Sequence, residues 1–270
     1  MQAIPGTKSP LAWVGGKSNL VGRILPLAPE HTCYVEAFAG AAWMLFKKPP
    51  SKVEVINDAN RELTNLYRVL QNHVDEFLRY FRWVLTARDE FARLKAATPE
   101  SLTDVQRAAR FYYLLKMGYS GKVTSATFGY GTTVPPRLNL MRIEEELSAA
   151  HLRLVGVYVE CLDWRDILKR YDRPHTWFYL DPPYWGSEGY YGPGLFEREH
   201  FTELRDRLAG MQGKWLLSIN DVPEIRALFK GFTIKAVDTK YSMGSTDRAK
   251  AQKELLIMNY RAPASAAGKA

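Results

Sequence analysis

The chain has 270 residues, 46% hydrophobic and 24% charged, with a formal net charge of +8 and a pI near 9.3. That length suits one large domain, or one domain carrying a sizeable insertion. The composition is that of a globular chain, and no apolar run approaches the roughly 18 residues of a membrane span. The basic balance favours a polyanionic partner, through phosphate contacts and counterion release.

The opening residues MQAIPGTKSP hold no apolar signal core, so a cytoplasmic location is expected. The stretch LAWVGGKSNL, Leu11 to Leu20, then ends like a phosphate-binding loop, with Gly16-Lys17-Ser18 as its close. The first glycine of that pattern would fall at Leu11, so the motif is incomplete and the Gly-Gly-Lys needs another explanation. CYVEAFAGAAWMLF follows as a short strand, a glycine and alanine turn, and a helix, and KVEVIND as a second buried strand ending in Asp58. Leu63, Leu66, Tyr67, Leu70, Val74, Phe77, Leu78 and Phe81 recur at helical spacing.

The region from Arg107 begins as an apolar helix, AARFYYLLKM, and becomes loop or hairpin in composition over GYSGKVTSATFGYGTTVPPR. LVGVYVECLD and HTWFYLDPPY read as strands closing on Asp163 and Asp181, and KWLLSIND and KELLIMNY as two later strands. A helix from Glu199 to Met211 separates the DPPY strand from the first of those two. The alternation predicts an α/β sheet with helices on both faces, whose ligands bind at the carboxyl ends of its strands. Glu36, Asp58, Asp163 and Asp181 each close a predicted strand, although any one of them alone also suits a cap or a turn. Cys33 and Cys161 lie far apart in apolar stretches and read as reduced core residues, and the five histidines show no metal-ligand spacing.

Asp181-Pro182-Pro183-Tyr184 is the sharpest signal. Two prolines fix the backbone just beyond a strand. The acid, the Pro182 carbonyl and the Tyr184 ring together offer two acceptors and a π-face, which match a planar ring with an exocyclic amine. A strand-ending turn with a capping aspartate is the plainer alternative.

In this order of motifs the chain resembles the Dam-type DNA adenine-N6 methyltransferases. The family's K-W-A-G-G-K corresponds to Ala12 through Lys17, and its E-P-F-x-G-x-G to Glu36-Ala37-Phe38-Ala39-Gly40-Ala41-Ala42. Asn57-Asp58 with Asn60, Leu63, Leu66 and Tyr67 matches the next motif, and Asp181-Pro182-Pro183-Tyr184 matches in full. The resemblance implies a Rossmann-like methyltransferase sheet that uses S-adenosyl-L-methionine, with residues 1–70 and 151–262 as catalytic domain. It further implies an inserted, mostly helical target-recognition region at 71–150, with 263–270 as a disordered tail.

By that resemblance Trp13, Gly15, Gly16 and Lys17 pack beside the cofactor, and Glu36, Phe38 and Gly40 border its methionine part. Asp58 suits the ribose hydroxyls, Asp163 the cofactor's adenine amine, and Asp181 both cofactor and target. Asp181 with the Pro182-Pro183 turn and Tyr184 would grip the target adenine, which has to leave the duplex stack to be reached. No metal is required.

Tyr119, Lys122, Phe128, Tyr130 and Arg137 fall in the segment expected to read double-stranded DNA, and Arg248 and Lys250 are candidates for backbone contacts. Ala37, Ala42, Ala12 and Tyr119-Ser120-Gly121-Lys122 depart from the family pattern, the last two bearing on a GATC target. A same-fold enzyme acting on RNA or on cytosine N4, and a silent DNA-binding homologue, are the alternatives. The target sequence and any partner restriction nuclease are not legible.

Overall fold

A computed structural model describes residues 7–11, 17–118, 127–133, 135, 138–191, 194–240 and 251–263. The chain runs through α1 (Val21–Ile24), β1 (Cys33–Glu36), α2 (Trp43–Lys47), β2 (Val53–Asn57), α3 (Arg61–Asn72), α4 (Val74–Phe81) and α5 (Arg88–Ala96). It continues through α6 (Asp104–Met117), α7 (Leu140–Leu154), β3 (Tyr158–Glu160), α8 (Trp164–Tyr171), β4 (Thr176–Leu180) and α9 (His200–Ala209). It ends in β5 (Lys214–Asn220), α10 (Pro223–Leu228), β6 (Thr233–Lys240) and β7 (Ala251–Met258).

The strands form a seven-stranded sheet in the order β3-β2-β1-β4-β5-β7-β6. β1 runs parallel to β2 and β4, and β4 parallel to β5, while β7 is antiparallel to both β5 and β6. The order reverses at β1 and β4, the kind of switch point beyond which open α/β sheets bind their ligands. The late antiparallel pair makes the sheet mixed. β6 was not anticipated, because TIKAVDTK carries charge and threonine where the other strands are apolar.

By contact density the chain divides into two compact units, Met1–Gly16, Gly40–Pro50 and Asn60–Cys161 in one, Lys17–Ala39, Ser51–Ala59 and Leu162–Ala270 in the other. In the second unit, strand alternation sends Cys33, Val35, Val55, Phe178, Leu180, Trp215, Leu217, Ile219, Leu255 and Ile257 to one face. There they meet Trp164, Ile167 and Leu168 of α8, Phe201, Leu204 and Leu208 of α9, and Ile225 of α10. Each such side chain removed from water contributes about 1.5–3 kcal/mol before entropy is counted. The intervening positions include the apolar Trp177, Leu216 and Leu256 and, buried as well, the polar Tyr34, Glu36, Tyr179, Ser218 and Glu254. Those buried polar positions mark where the chemistry sits.

The first unit is built on α6, which is buried almost all round from Ala108 to Leu115. Its start is set by a capping box between Thr103 and Gln106. Tyr112 takes the rings of Phe77 and Phe81 edge-on, at 5.6 and 5.4 Å between centroids. The helical spacing over 63–81 is carried by two helices: His73, at φ −138° and ψ 37°, breaks the ladder between α3 and α4. Asn60 caps α3 by accepting from the amides of Glu62 and Leu63.

Three smaller expectations are corrected. Cys161 is exposed, so only Cys33 is a core cysteine. The strand expected to close on Asp163 is three residues long and ends at Glu160. The helix expected over 199–211 spans His200–Ala209.

Candidate active site

Four side chains from three segments distant in sequence converge past the carboxyl ends of the central strands. Lys17 lies in the turn before α1, its carbonyl accepting from the amides of Leu20 and Val21 at 2.8 and 3.1 Å. Its side chain is 4% exposed, and its ammonium lies 2.9 Å from Asp181 Oδ1 and 2.9 Å from Glu254 Oε1. It also meets the Tyr184 hydroxyl and sits 4.2 Å from the centroid of that ring. The Tyr184 hydroxyl donates to the same Glu254 oxygen at 2.7 Å.

Burial makes each of these contacts matter, because a charge out of water must be paired. Glu254 is 1% exposed, and the Asp181 side chain keeps 20% of its surface open. Burial, with the Glu254 charge beside it, pushes the Asp181 carboxyl up to about 6, against the pull of Lys17 and Ser218. Tyr179, beneath it on β4, is held protonated far above the ordinary phenol range by burial and by Asp181, Glu254 and Glu36.

The loop after β4 is clamped from β5. Ser218 donates to Asp181 Oδ1 at 3.2 Å, and Asn220 bonds the amide and carbonyl of Trp185, each at 3.0 Å. Pro182 and Pro183 are buried and Tyr184 half-buried. Trp185 lies against Phe201 and beneath the Arg198 guanidinium.

The remaining sequence candidates separate into groups. Glu36, closing β1, is 2% exposed and accepts from the Tyr34 hydroxyl at 3.0 Å. Phe38 is half-buried, edge-on to Phe196 at 5.8 Å. Asp58 is half-buried one residue beyond β2. Asp163 caps α8, accepting from the Arg165 amide at 2.8 Å, and its carboxylate faces the Arg165 guanidinium at 3.1 Å.

Gly40 turns at φ +48° and its carbonyl accepts from the Tyr67 hydroxyl at 2.6 Å. In the first unit, Phe128 pairs with Gly118 and packs edge-on to Phe91, while Tyr130 is 77% exposed. Arg88 lies over both rings, at 5.0 and 5.2 Å. Trp13, Gly15, Gly16, Tyr119, Lys122, Arg137, Arg248 and Lys250 lie outside the described residues.

Sequence reading missed Glu254, Ser218 and Asn220. The signal was there in weak form, as polar residues at alternate positions of KWLLSIND and an acid opening an apolar run in KELLIMNY. Such an acid reads by default as solvated charge.

The two departures in the β1 turn also find a local account. The Ala37 amide donates to the Tyr179 carbonyl at 3.1 Å, a bond the family's proline cannot make. Ala42, where the family has glycine, sits at φ +49° and ψ 39°, in the left-handed region.

Past the switch point of this α/β sheet, the DPPY loop presents a half-buried acid, a fixed turn and an aromatic ring together. Residues 13–243 match the D12 class N6 adenine-specific DNA methyltransferase family, and the chain belongs to it. It is an adenine-specific DNA methyltransferase. The chain is similar to the type II methyltransferase M1.LlaDCHI of Lactococcus lactis subsp. cremoris, 27% identical over 92% of this chain and 94% of that protein. The type II methyltransferase M.CviBI of Paramecium bursaria Chlorella virus NC1A is 27% identical, over 85% of this chain and 89% of its own. The DNA adenine methylase of Haemophilus influenzae is 25% identical, over 92% of this chain and 91% of its own.

Proposed function

We propose that the chain transfers a methyl group from S-adenosylmethionine to N6 of an adenine turned out of duplex DNA at a specific site, with Asp181 and Tyr184 gripping that base. The observation that carries this reading is the shared cluster of Lys17, Asp181, Tyr184 and Glu254, which fixes one acceptor and one ring face together past the switch point.

The chemistry of the site fits a sulfonium donor. Carboxylates outnumber ammonium groups there: Asp181, Glu254 and Glu36 all act on Tyr179, and Lys17 is the cation among the described residues at that cluster. When bound, S-adenosylmethionine supplies an electrophilic methyl carbon. Glu36, Phe38 and Asp58 would hold it, and Asp163 is proposed at its adenine amine.

Adenine N6 donates its lone pair into the ring and is a flat, poor nucleophile. Hydrogen bonds from its two N–H groups to the Asp181 carboxylate and the Pro182 carbonyl favour a pyramidal nitrogen with its lone pair free. The Tyr184 ring holds the purine by stacking. After transfer the cationic amine gives up one proton readily, so Asp181 acts by accepting a hydrogen bond and need not be a strong base. Positioning and electrostatics supply most of the acceleration.

The recognition role is proposed for region 71–150. Arg88, Phe128 and Tyr130 are its described aromatic and basic cluster, with Tyr119, Lys122 and Arg137 beside it in sequence. Arg248 and Lys250 are proposed to contact the DNA backbone.

Asp181→Ala tests the catalytic assignment. The expected result is loss of labelled-methyl transfer to DNA, with the melting temperature kept and DNA affinity within about threefold of wild type. Transfer at the wild-type rate would remove Asp181 from the mechanism.

A further inference from the structure

We propose that Ser218 and Glu254 are positioning residues of the transfer reaction, which together occupy Oδ1 of Asp181 and reserve Oδ2 for the target amine. The inference rests on the reading of Asp181 as the N6 acceptor.

Oδ1 receives Lys17 Nζ at 2.9 Å and the Ser218 hydroxyl at 3.2 Å. A carboxylate oxygen has two lone pairs, and two donors use both. Among the described residues no donor meets Oδ2, and the carboxylate keeps a fifth of its side-chain surface open. The acid is therefore fixed through one oxygen and offered through the other.

The fixing groups are themselves held. Ser218 gives its one proton to Asp181, so in its 2.9 Å contact with Tyr179 the phenol is the donor. Tyr179 stays protonated at any working pH, which keeps that direction constant. The order Tyr179, Ser218, Asp181 is thus a one-way chain of donors running from the buried face of the sheet to the loop.

Glu254 acts through Lys17. It stands opposite Asn220 in the β5–β7 register, and its Oε1 accepts from both Lys17 and the Tyr184 hydroxyl. One oxygen therefore ties the cation that holds the acid to the ring that holds the base, and so sets the gap between them. Sharing Lys17 between two carboxylates also weakens its grip on Asp181, which leaves Asp181 the better acceptor. The charged and titratable groups facing Asp181 are Lys17 before α1, Tyr179 of β4, Tyr184 of its own loop and Glu254 of β7, with Glu36 of β1 beyond Tyr179.

Single-turnover transfer measured against pH tests this on Ser218→Ala, Ser218→Thr, Glu254→Gln and Asp181→Asn. Ser218→Ala should slow the transfer step roughly 10- to 100-fold with KM for donor and DNA little changed. It should also move the acid limb upward, because a donor that favours the ionised acid is gone. Ser218→Thr should restore most of the rate. Glu254→Gln should move the limb downward, because a like charge is gone, while also slowing transfer.

A merely structural loss would not send the two limbs in opposite directions. If Glu254→Gln does not fold, Ser218→Ala with its threonine rescue decides alone. An inactive Asp181→Asn beside wild-type rates and limbs in the other variants would overturn this inference and leave the acceptor reading standing. An active Asp181→Asn would overturn both.

Discussion

A carboxyl group pushed up to about 6 is only one to two pH units from losing the charge its work needs. Asp181 must be ionised to hold Lys17 on one oxygen and accept the target amine on the other, so the transfer rate should fall about tenfold per unit below that point. Lys17→Met removes the opposing charge and should carry the limb upward. A limb that stays in place in that variant would separate Lys17 from the acid.

The same shift has a sign for stability. The folded value lies above the ordinary 3.8, so the folded state prefers the protonated acid. The penalty is full above about 6 and vanishes below about 4. Asp181→Asn should then gain on the order of 1–2 kcal/mol at neutral pH, read from denaturant melts. A loss of that size would mean the acid contributes to the fold as well as to function.

At this scale Lys17, Asp181 and Tyr184 could be singled out because each lies in a compact motif, although the sequence placed Lys17 beside the cofactor and not against Asp181. Glu254 could not. Its partners are far away in sequence, and only strand register brings it to them.

Among the elements, the apolar strands and their succession along the chain could be read from pattern, while their order in the sheet came from the structure. β6 was missed because its alternation is polar, and the break at His73 because apolar spacing continues across it. Asp163 shows how a local feature limits such reading. In sequence it suits either a strand end or a cap, and the structure has it capping α8 and paired with Arg165.

The turn after β1 makes its own prediction. Alanine to glycine inside a helix costs roughly 0.5–1 kcal/mol. At Ala42 the left-handed backbone reverses that, since an L side chain there costs about 1–2 kcal/mol. Ala42→Gly should leave stability unchanged or raise it by up to about 1 kcal/mol, while Ala108→Gly in α6 should lower it. Destabilisation of Ala42→Gly by as much as Ala108→Gly would contradict the strained turn.

For the molecule as a whole, the +8 charge favoured a polyanionic partner without deciding one, and the motif order carried the family, which spans residues 13–243. The target sequence stayed illegible, since it depends on which side chains meet base edges and no short motif encodes that. Arg88, stacked over Phe128 and the exposed Tyr130, is the described place to look. Arg88→Ala should weaken DNA binding and lower the slope of affinity against salt by about one ion. An unchanged affinity and slope would take that cluster off the DNA.

The central claim is methyl transfer to adenine N6. Purified protein incubated with S-adenosylmethionine and mixed-sequence duplex DNA, followed by nucleoside mass spectrometry, tests it most directly. The account predicts N6-methyladenine, lost in Asp181→Ala. Methyl on cytosine N4, or none on DNA with the donor bound normally, would contradict it.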